Sequence, residues 1–228
     1  MPSKISIITV VLNSKEDLEL TIKSISNQHY KDFELIIIDG GSTDGTENLI
    51  KKYSYLITKY ISEKDNGLYD AMNKGINLAT GDGLMFLNAG DLLCNQVLTN
   101  NVKVPSFIPV FYKNYKDKLI KLKPKFYKLG IPYCHQGIIF ENKNFFYSDK
   151  YQIASDYDFY LKHKYNDKIK FLETEGYVYY DNSGLSSINY KLRDREIGVI
   201  IKKNFGYFWY NLFIVHCFFK NIVKFFIK

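Results

Sequence analysis

The sequence predicts an α/β fold in which a mostly parallel sheet is flanked by helices and followed by a C-terminal helical segment. Between residues 4 and 86, short apolar runs alternate with segments whose apolar residues recur at helical spacing. The first run is rich in β-branched residues on both faces, which is typical of a covered parallel strand. The chain has 228 residues, of which 46% are hydrophobic, so it can bury one substantial core.

The first two predicted strands, residues 5–11 and 33–38, are joined by a helix that we expect to begin near Ser14 and to end at Asn27. A strand, a helix and a second strand form a right-handed parallel crossover. Ligands bind beyond the carboxyl ends of the strands in such sheets. The candidate binding residues at that edge are Thr9, Asn13 and Asp39.

Asp39 closes the second strand and opens the turn Gly-Gly-Ser-Thr-Asp-Gly. Any tight strand-to-helix connection requires such residues, and this interpretation is favoured for the turn itself. A Walker-type phosphate loop is excluded because no Gly-Lys-Ser/Thr follows, and the three spaced glycines of a dinucleotide site are missing as well. A carboxylate at the end of a buried strand is costly without a partner, so we expect Asp39 to bind a ligand.

A third strand near residues 56–61, a helix after residue 67 and a fourth strand at 84–87 continue the pattern. The chain leaves the fourth strand through Asn88-Ala89-Gly90-Asp91. The Asp91 carboxylate is suited to coordinating a hard divalent cation. The alternative is that Asp91 caps a helix over the two leucines that follow.

Five stretches together resemble the nucleotide-sugar glycosyltransferases of family 2, which have the GT-A fold, a Rossmann-like sheet flanked by helices. They are ITVVLN (8–13), IDGGSTDGT (38–46), DNGLYDAMNKG (65–75), LNAGD (87–91) and ASDYD (154–158). Each motif alone is weak, but the five follow one another in the family's order.

The resemblance implies that Asp39 accepts a hydrogen bond from the nucleotide base and that Asp91 binds the metal, Mg²⁺ or Mn²⁺. The nucleotide-sugar site that it implies is made of Thr9, Val11, Asn13, Asp39, Asp65 and Asn88. Two positions depart from the common pattern, because Asn88 and Gly40 each replace an aspartate. Fewer carboxylates should weaken the metal site and make affinity depend more on the diphosphate.

Asp156 matches the general base of the family, which takes the proton of the attacking acceptor hydroxyl. The alternative is that Asp156 and Asp158 cap the helix that they open, a role compatible with catalysis. Asp158 is expected to contact the acceptor or to cap that helix. His135 is a candidate contact to the acceptor or the pyrophosphate, although a lone histidine beside aromatic residues is more often a packing residue.

These features predict an inverting glycosyltransferase that moves a sugar from a UDP-sugar to a lipid-diphosphate-linked oligosaccharide. The resemblance is to a subgroup acting on bacterial surface polysaccharides, such as O-antigen, capsule or exopolysaccharide, and UDP rests on it alone. One alternative is a sugar nucleotidyltransferase, which would need a glycine-rich, basic first loop. The other is a nucleic-acid-binding module, but the lysines fall outside the strands and acids mark the strand ends, so nucleic acid is not expected as a partner.

The charge of the chain suggests an anionic partner, since the formal net charge is +7 and the pI is about 9.0. The lysine-rich stretch at 113–128 is by default a solvated face, although it would also suit an acceptor diphosphate. The three cysteines have no metal or redox spacing, so a reduced cytoplasmic compartment is expected. The first apolar run is too short for a signal peptide.

We divide the chain into a domain at 1–200 and a basic, aromatic C-terminal segment at 201–228. Residues 205–228 contain no acids, and the lysine-free stretch at 204–219 falls short of the ~20 residues that span a bilayer. The segment at 201–228 also carries lysines that suit a helix lying on the anionic inner face of the cell membrane. They are Lys202, Lys203, Lys220, Lys224 and Lys228. The open alternatives are docking on the domain or on a second copy in a homodimer.

Overall fold

The computed structural model describes residues 3–100, 102–114, 116–165, 169–181 and 189–227, with side chains up to residue 219. The strands are β1 (Ile5–Val11), β2 (Phe33–Asp39), β3 (Ile57–Ser62), β4 (Gly83–Phe86), β5 (Leu92–Cys94), β6 (Ser106–Phe107), β7 (Val110–Lys113), β8 (Leu119–Lys121), β9 (Ile138–Glu141), β10 (Lys170–Phe171) and β11 (Tyr177–Tyr179). The helices are α1 (Lys15–Ser26), α2 (Thr46–Lys52), α3 (Leu68–Leu78), α4 (Ser155–Lys162), α5 (Tyr190–Phe205) and α6 (Tyr207–Ile227). Single 3₁₀ turns lie at Tyr127–Leu129 and His135–Gly137.

The central sheet has the strand order β10-β6-β9-β4-β1-β2-β3, and its core strands are mutually parallel. Strand β9 runs antiparallel to both of its neighbours. Every residue of β1 and β4 is buried, as expected of strands covered on both faces. The predicted α/β class with a mostly parallel sheet is confirmed, and the register places Val11 beside Asp39 at the carboxyl edge.

A smaller sheet, ordered β5-β11-β7-β8, lies beside the carboxyl edge and begins directly after Asp91. Leu93 is buried, pairs with Val178 of β11 and donates its backbone N–H to Ser24 Oγ of α1 at 3.1 Å. The helix expected as one alternative after Asp91 is therefore a strand. The capping interpretation of Asp91 is wrong, because tertiary pairing decides the structure of such a short apolar run.

Helix α1 begins where the sequence predicts it, but its first N–H groups find a more distant partner. The N–H of Lys15 donates to Asp44 Oδ2 at 2.9 Å. In the described residues, the side chain of Ser14 makes no capping hydrogen bond. The turn after β2 therefore helps to hold the start of α1, and the two loops that follow β1 and β2 are fastened together.

The predicted C-terminal segment forms the second part of a helical hairpin, in which α5 and α6 meet at Gly206 with φ +84°. Helix α5 runs through the expected boundary at residue 200. Ile200, Ile201 and Phe213 pack into a second core that also contains Tyr157 of α4. The inner face of the hairpin is thus docked on the domain.

The outer face of α6 is exposed and apolar. The exposed residues are Tyr207, Phe208, Leu212, Ile214, Val215, Phe218 and Phe219. No helix in the described ranges is long and apolar enough to cross a membrane. Of the lysines expected to face a membrane, the side chains of Lys220 and Lys224 and all of Lys228 lie outside the described residues.

Candidate active site

The buried Asp39 carboxylate lies at the carboxyl end of β2 and is held by the turn that follows. Its Oδ1 accepts the N–H of Ser42 at 3.1 Å, and its Oδ2 accepts the hydroxyl of Ser62 at 2.6 Å. Thr9 of the neighbouring β1 is also buried, and its Oγ1 has no hydrogen-bond partner among the described residues. A polar edge therefore follows β1, β2 and β3, as the topology predicts.

Asn13 and Asp65 flank this edge from two different loops. Asn13 has φ +49°, and its Oδ1 accepts the N–H of Thr43 at 2.8 Å. Asp65 Oδ1 accepts a hydrogen bond from Lys74 Nζ at 2.6 Å. The amide of Asn13 is thus engaged in joining two loops, a positioning role that the sequence did not reveal.

A cavity of about 690 Å³ opens beside this edge, at the carboxyl end of β4. Strand β1 separates β2 from β4, so the ends of these two strands lie about 10 Å apart. The predicted residues that line the cavity are Asn88, Asp91, His135 and Asp156. The structure thus brings two groups of predicted residues next to each other, one around Asp39 and one around the cavity.

Asp91 is 2% exposed and is fixed by two backbone donors. Its Oδ2 accepts the N–H of Asn88 at 3.2 Å, and its Oδ1 accepts the N–H of Asp181 at 3.0 Å. Burial, with a further contribution from the charge of Asp181, raises the pKa of Asp91 to about 7. A nearby cation would therefore strongly stabilise the ionised form of Asp91.

His135 and Asp156 form a second polar pair in the cavity, with Nδ1 and Oδ2 3.7 Å apart. Burial raises the pKa of Asp156 to about 6 and lowers the pKa of His135 to about 4. The imidazole is thus neutral near pH 7, while the carboxylate is ionised and only weakly stabilised. A carboxylate whose pKa lies close to neutrality is suited to accept a proton.

The loop before Asp156 is fastened by a residue far along the chain. Glu196 of α5 accepts the N–H groups of Gln152, Ile153 and Ala154 at 2.8 to 2.9 Å. Ala154 holds the N-cap position of α4, so Asp156 lies inside the first turn. Its own carboxylate accepts the N–H of Tyr157 at 2.8 Å.

Asp158, the other predicted acidic residue of α4, lies apart from the cavity. It is 5% exposed and forms an ion pair with Lys162 at 3.0 Å. Lys203 of α5 is 3.9 Å from its other carboxylate oxygen. Asp158 is therefore directed toward the helical hairpin, where it links α4 to α5.

A family model described as "Glycosyl transferase family 2" matches residues 6–103. A "PGL/p-HBAD biosynthesis glycosyltransferase" of Mycobacterium bovis (strain BCG / Pasteur 1173P2) is 32% identical over 178 residues, which cover 69% of this chain and 68% of that protein. The chain belongs to glycosyltransferase family 2. This enzyme is thus a glycosyltransferase, and family membership sets aside the nucleotidyltransferase and the nucleic-acid-binding module.

Solved structures with the GT-A fold resemble the transferase over 87% of its length. Staphylococcus aureus TarS matches with a TM-score of 0.65 at 18% identity, and this chain covers 40% of it. TarS 1-349 in complex with UDP-GlcNAc matches with a TM-score of 0.63 at 18% identity, and 66% of it is covered. The mannosyltransferase PcManGT from Pyrobaculum calidifontis, in complex with GDP-Man and Mn²⁺, matches with a TM-score of 0.64 at 17% identity and is covered to 63%.

The residues of this glycosyltransferase fit a divalent cation that is shared with a phosphate ligand. Within the described ranges, no group of three or more His, Cys, Asp or Glu side chains could hold a metal ion alone. However, Asn88 Oδ1 is buried and has no partner in the part of the chain that the structure describes. Together with Asp91 it offers oxygen ligands of the type that Mg²⁺ and Mn²⁺ bind alongside phosphates and water.

Sequence reasoning missed several residues of the transferase's cavity, above all Asp181. Asp181 follows the short strand β11, so the rule that directed attention to Asp39 and Asp91 could have found it. The cavity residue Arg193 lies within α5, as does Glu196, which in the described part of the chain does not line the cavity but holds the loop before Asp156. The sequence of this helix shows no local signal of a role in the site.

Proposed function

We propose that this transferase moves a sugar, with inversion, from a UDP-sugar to a lipid-linked acceptor during surface-polysaccharide assembly at the inner face of the cell membrane. The observation that carries the proposal is the cavity shared by Asp91 and Asp156. It joins a candidate site for a metal-bound diphosphate to a carboxylate suited to be the base.

The donor would extend along the carboxyl edge of the sheet. Asp39, with Thr9 and Val11 on the adjacent strand, would hold the base, and Asn13 would support the loop around it. Asp65 would lie beside the nucleotide, and the diphosphate would reach Asn88 about two strands away. The choice of uridine is supported by the family resemblance and by the UDP-GlcNAc complex of TarS, a structure that shares the fold.

Asn88 and Asp91 would hold the divalent ion, Mg²⁺ or Mn²⁺. When bound, the ion neutralises the charge that develops on the departing diphosphate. The burial of Asp91 beside Asp181 supports this assignment, because removing a carboxylate from water is unfavourable without a compensating charge.

Asp156 would accept the proton of the acceptor hydroxyl. The hydroxyl oxygen forms a bond to the anomeric carbon as the bond to the diphosphate oxygen breaks on the opposite face, which inverts the configuration. The nearby neutral His135 would contact the acceptor or the pyrophosphate without competing for that proton. Such a base contributes roughly 10²- to 10⁴-fold to the rate.

The exposed apolar face of α6 supports a membrane-bound acceptor. Phe208, Leu212 and Phe219 project from a helix whose inner face is already packed. Lys202 lies 4.4 Å from the ring centroid of Tyr207, and Lys203 is exposed beside it. Aromatic residues flanked by lysines favour the surface of an anionic bilayer.

A donor screen tests the proposal. Purified enzyme is mixed with UDP-, GDP- and ADP-sugars, a bacterial lipid extract as the acceptor source, and Mg²⁺, Mn²⁺ or EDTA, and released nucleoside diphosphate is measured. We expect release from a UDP-sugar that requires metal and falls strongly in Asp156→Asn. Release from a GDP-sugar alone would overturn the uridine assignment, and full activity in EDTA would overturn the metal assignment.

A further inference from the structure

The cavity that contains Asp156 is lined by apolar as well as polar side chains. It is bounded by the helical hairpin, and its apolar lining includes Leu129, Ile131, Ile197 and Phe213. These residues come from the loop after β8 and from α5 and α6. These apolar side chains do not match the polar groups of a nucleotide. They do match the alkyl part of an amphipathic acceptor.

Three Lys and Arg side chains line the cavity, Lys123 and Lys125 from the loop and Arg193 from α5. Burial raises the pKa of Asp156, and the charges of Arg193 and Lys125 oppose that rise, so these two cations act on the carboxylate of the proposed base. Arg193 is also oriented by its neighbour, because its Nε and Nη2 donate to Asp194 Oδ1 at 3.1 and 2.9 Å. An oriented guanidinium is well suited to hydrogen-bond phosphate oxygens.

We propose that Lys125 and Arg193 form an acceptor-phosphate subsite, which binds the diphosphate that links the acceptor sugar to its lipid. The inference rests on the proposed function and narrows it. Lys125, Arg193 and the proposed base Asp156 line one cavity, so a phosphate bound there would lie close to the reacting hydroxyl, and a short acceptor fits this arrangement. The acceptor is then a lipid diphosphate that carries a single sugar, and the preceding reaction is a sugar-phosphate transfer to a lipid phosphate.

Binding of decyl diphosphate by the full-length enzyme tests the subsite directly. Calorimetry is carried out with and without saturating UDP and Mn²⁺, and decyl glucoside serves as the uncharged counterpart. We expect decyl diphosphate to bind with UDP present and to bind more tightly than decyl glucoside. Arg193→Gln and Lys125→Gln should each weaken it roughly tenfold or more, since each removes a charge-assisted contact.

The matched control is Lys121→Gln, which removes an exposed lysine of β8 that does not line the cavity in the described structure. It should leave decyl diphosphate affinity unchanged. The affinity for UDP should stay within about twofold of wild type in all three variants, because the subsite serves the acceptor. Lys125→Gln lies in a loop outside the helices, so it remains a test even if Arg193→Gln does not fold.

Three results would overturn the subsite. Parallel losses of UDP and decyl diphosphate affinity would place the cations on the donor diphosphate. Competition between UDP and decyl diphosphate would also place the cations on the donor diphosphate. Decyl glucuronide is titrated as a carboxylate probe, and tighter binding of it than of decyl diphosphate would make the anion a sugar carboxylate. A wild type that binds decyl diphosphate but no nucleotide would instead reject the proposed function and leave the anion site standing.

Discussion

The carboxylate of Asp65 fills the space in front of Gly40, where its Oδ2 lies 2.9 Å from the position that a Cβ atom on Gly40 would take. Asp65 is held there by Lys74 at 2.6 Å. The common family turn has an aspartate at position 40, and here the acid comes from the loop before α3. The glycine that replaces an aspartate at position 40 is therefore accompanied by the carboxylate of Asp65, which comes from another loop and lies at the same place.

Gly40→Ala should weaken UDP binding severalfold with little loss of stability. The new methyl group would meet Asp65 Oδ2 at 2.9 Å and Leu12 Cδ1 at 3.3 Å, so the carboxylate must move. Calorimetric titration with UDP measures the effect. In an Asp65→Ala background the same substitution should reduce UDP affinity much less. An equal loss of UDP affinity in both backgrounds would show that the two positions are not coupled.

Asp91→Asn should gain stability relative to wild type as pH rises from about 4 to 7. Burial raises the pKa of Asp91 to about 7, so between about pH 4 and 7 the carboxyl ionises only when wild type unfolds. This ionisation increasingly favours the unfolded wild type as pH rises, whereas the amide of the variant does not titrate. The difference in the free energy of unfolding should grow by about 2 to 4 kcal/mol and then level off. Urea unfolding at several pH values measures it.

A metal titration accompanies that measurement. Mn²⁺ with UDP should raise the Tm of wild type and have little effect on Asp91→Asn. A pH-independent difference in stability, or an equal metal shift in both proteins, would contradict the assignment.

Asp156→Asn should lower kcat roughly 10²-fold or more and leave UDP affinity nearly unchanged. In wild type, kcat/KM should fall below pH 6, where Asp156 becomes protonated. Asp158→Asn is the control on the same helix and should stay within a few fold of wild-type activity, since Asp158 pairs with Lys162. The reverse ranking of the two variants would move the base to Asp158.

Substitution of Phe208 and Phe219 by serine should reduce flotation with anionic vesicles and leave the Tm unchanged. Both side chains are more than half exposed on the outer face of α6. Deletion of 205–228 is less informative, because it would uncover Ile200 and Ile201. Phe213→Ser, at a buried position, should instead lower the Tm. Unchanged flotation of the doubly substituted protein would argue for a different role of this face.

The sequence predicted the central strands because their patterns are local. The runs that became β1 and β2 need no distant information, and the acids that follow strands led to Asp39 and Asp91. The features that the sequence did not predict depend on contacts between residues far apart in the chain. The backbone of Asp181 reaches Asp91 across 90 residues, and β5 forms because β11 pairs with it. A two-leucine run is too short for periodicity to separate strand from helix.

The three hydrogen bonds from the 152–154 loop to Glu196 tie the start of α4 to the hairpin. A chimera whose exchanged hairpin lacks an acid at position 196 would leave three N–H groups ahead of Asp156 without their acceptor. Acceptor preference in this enzyme should therefore be transplanted with residues 152–162 and the hairpin together. Exchange of either part alone would disturb the position of Asp156, the proposed base.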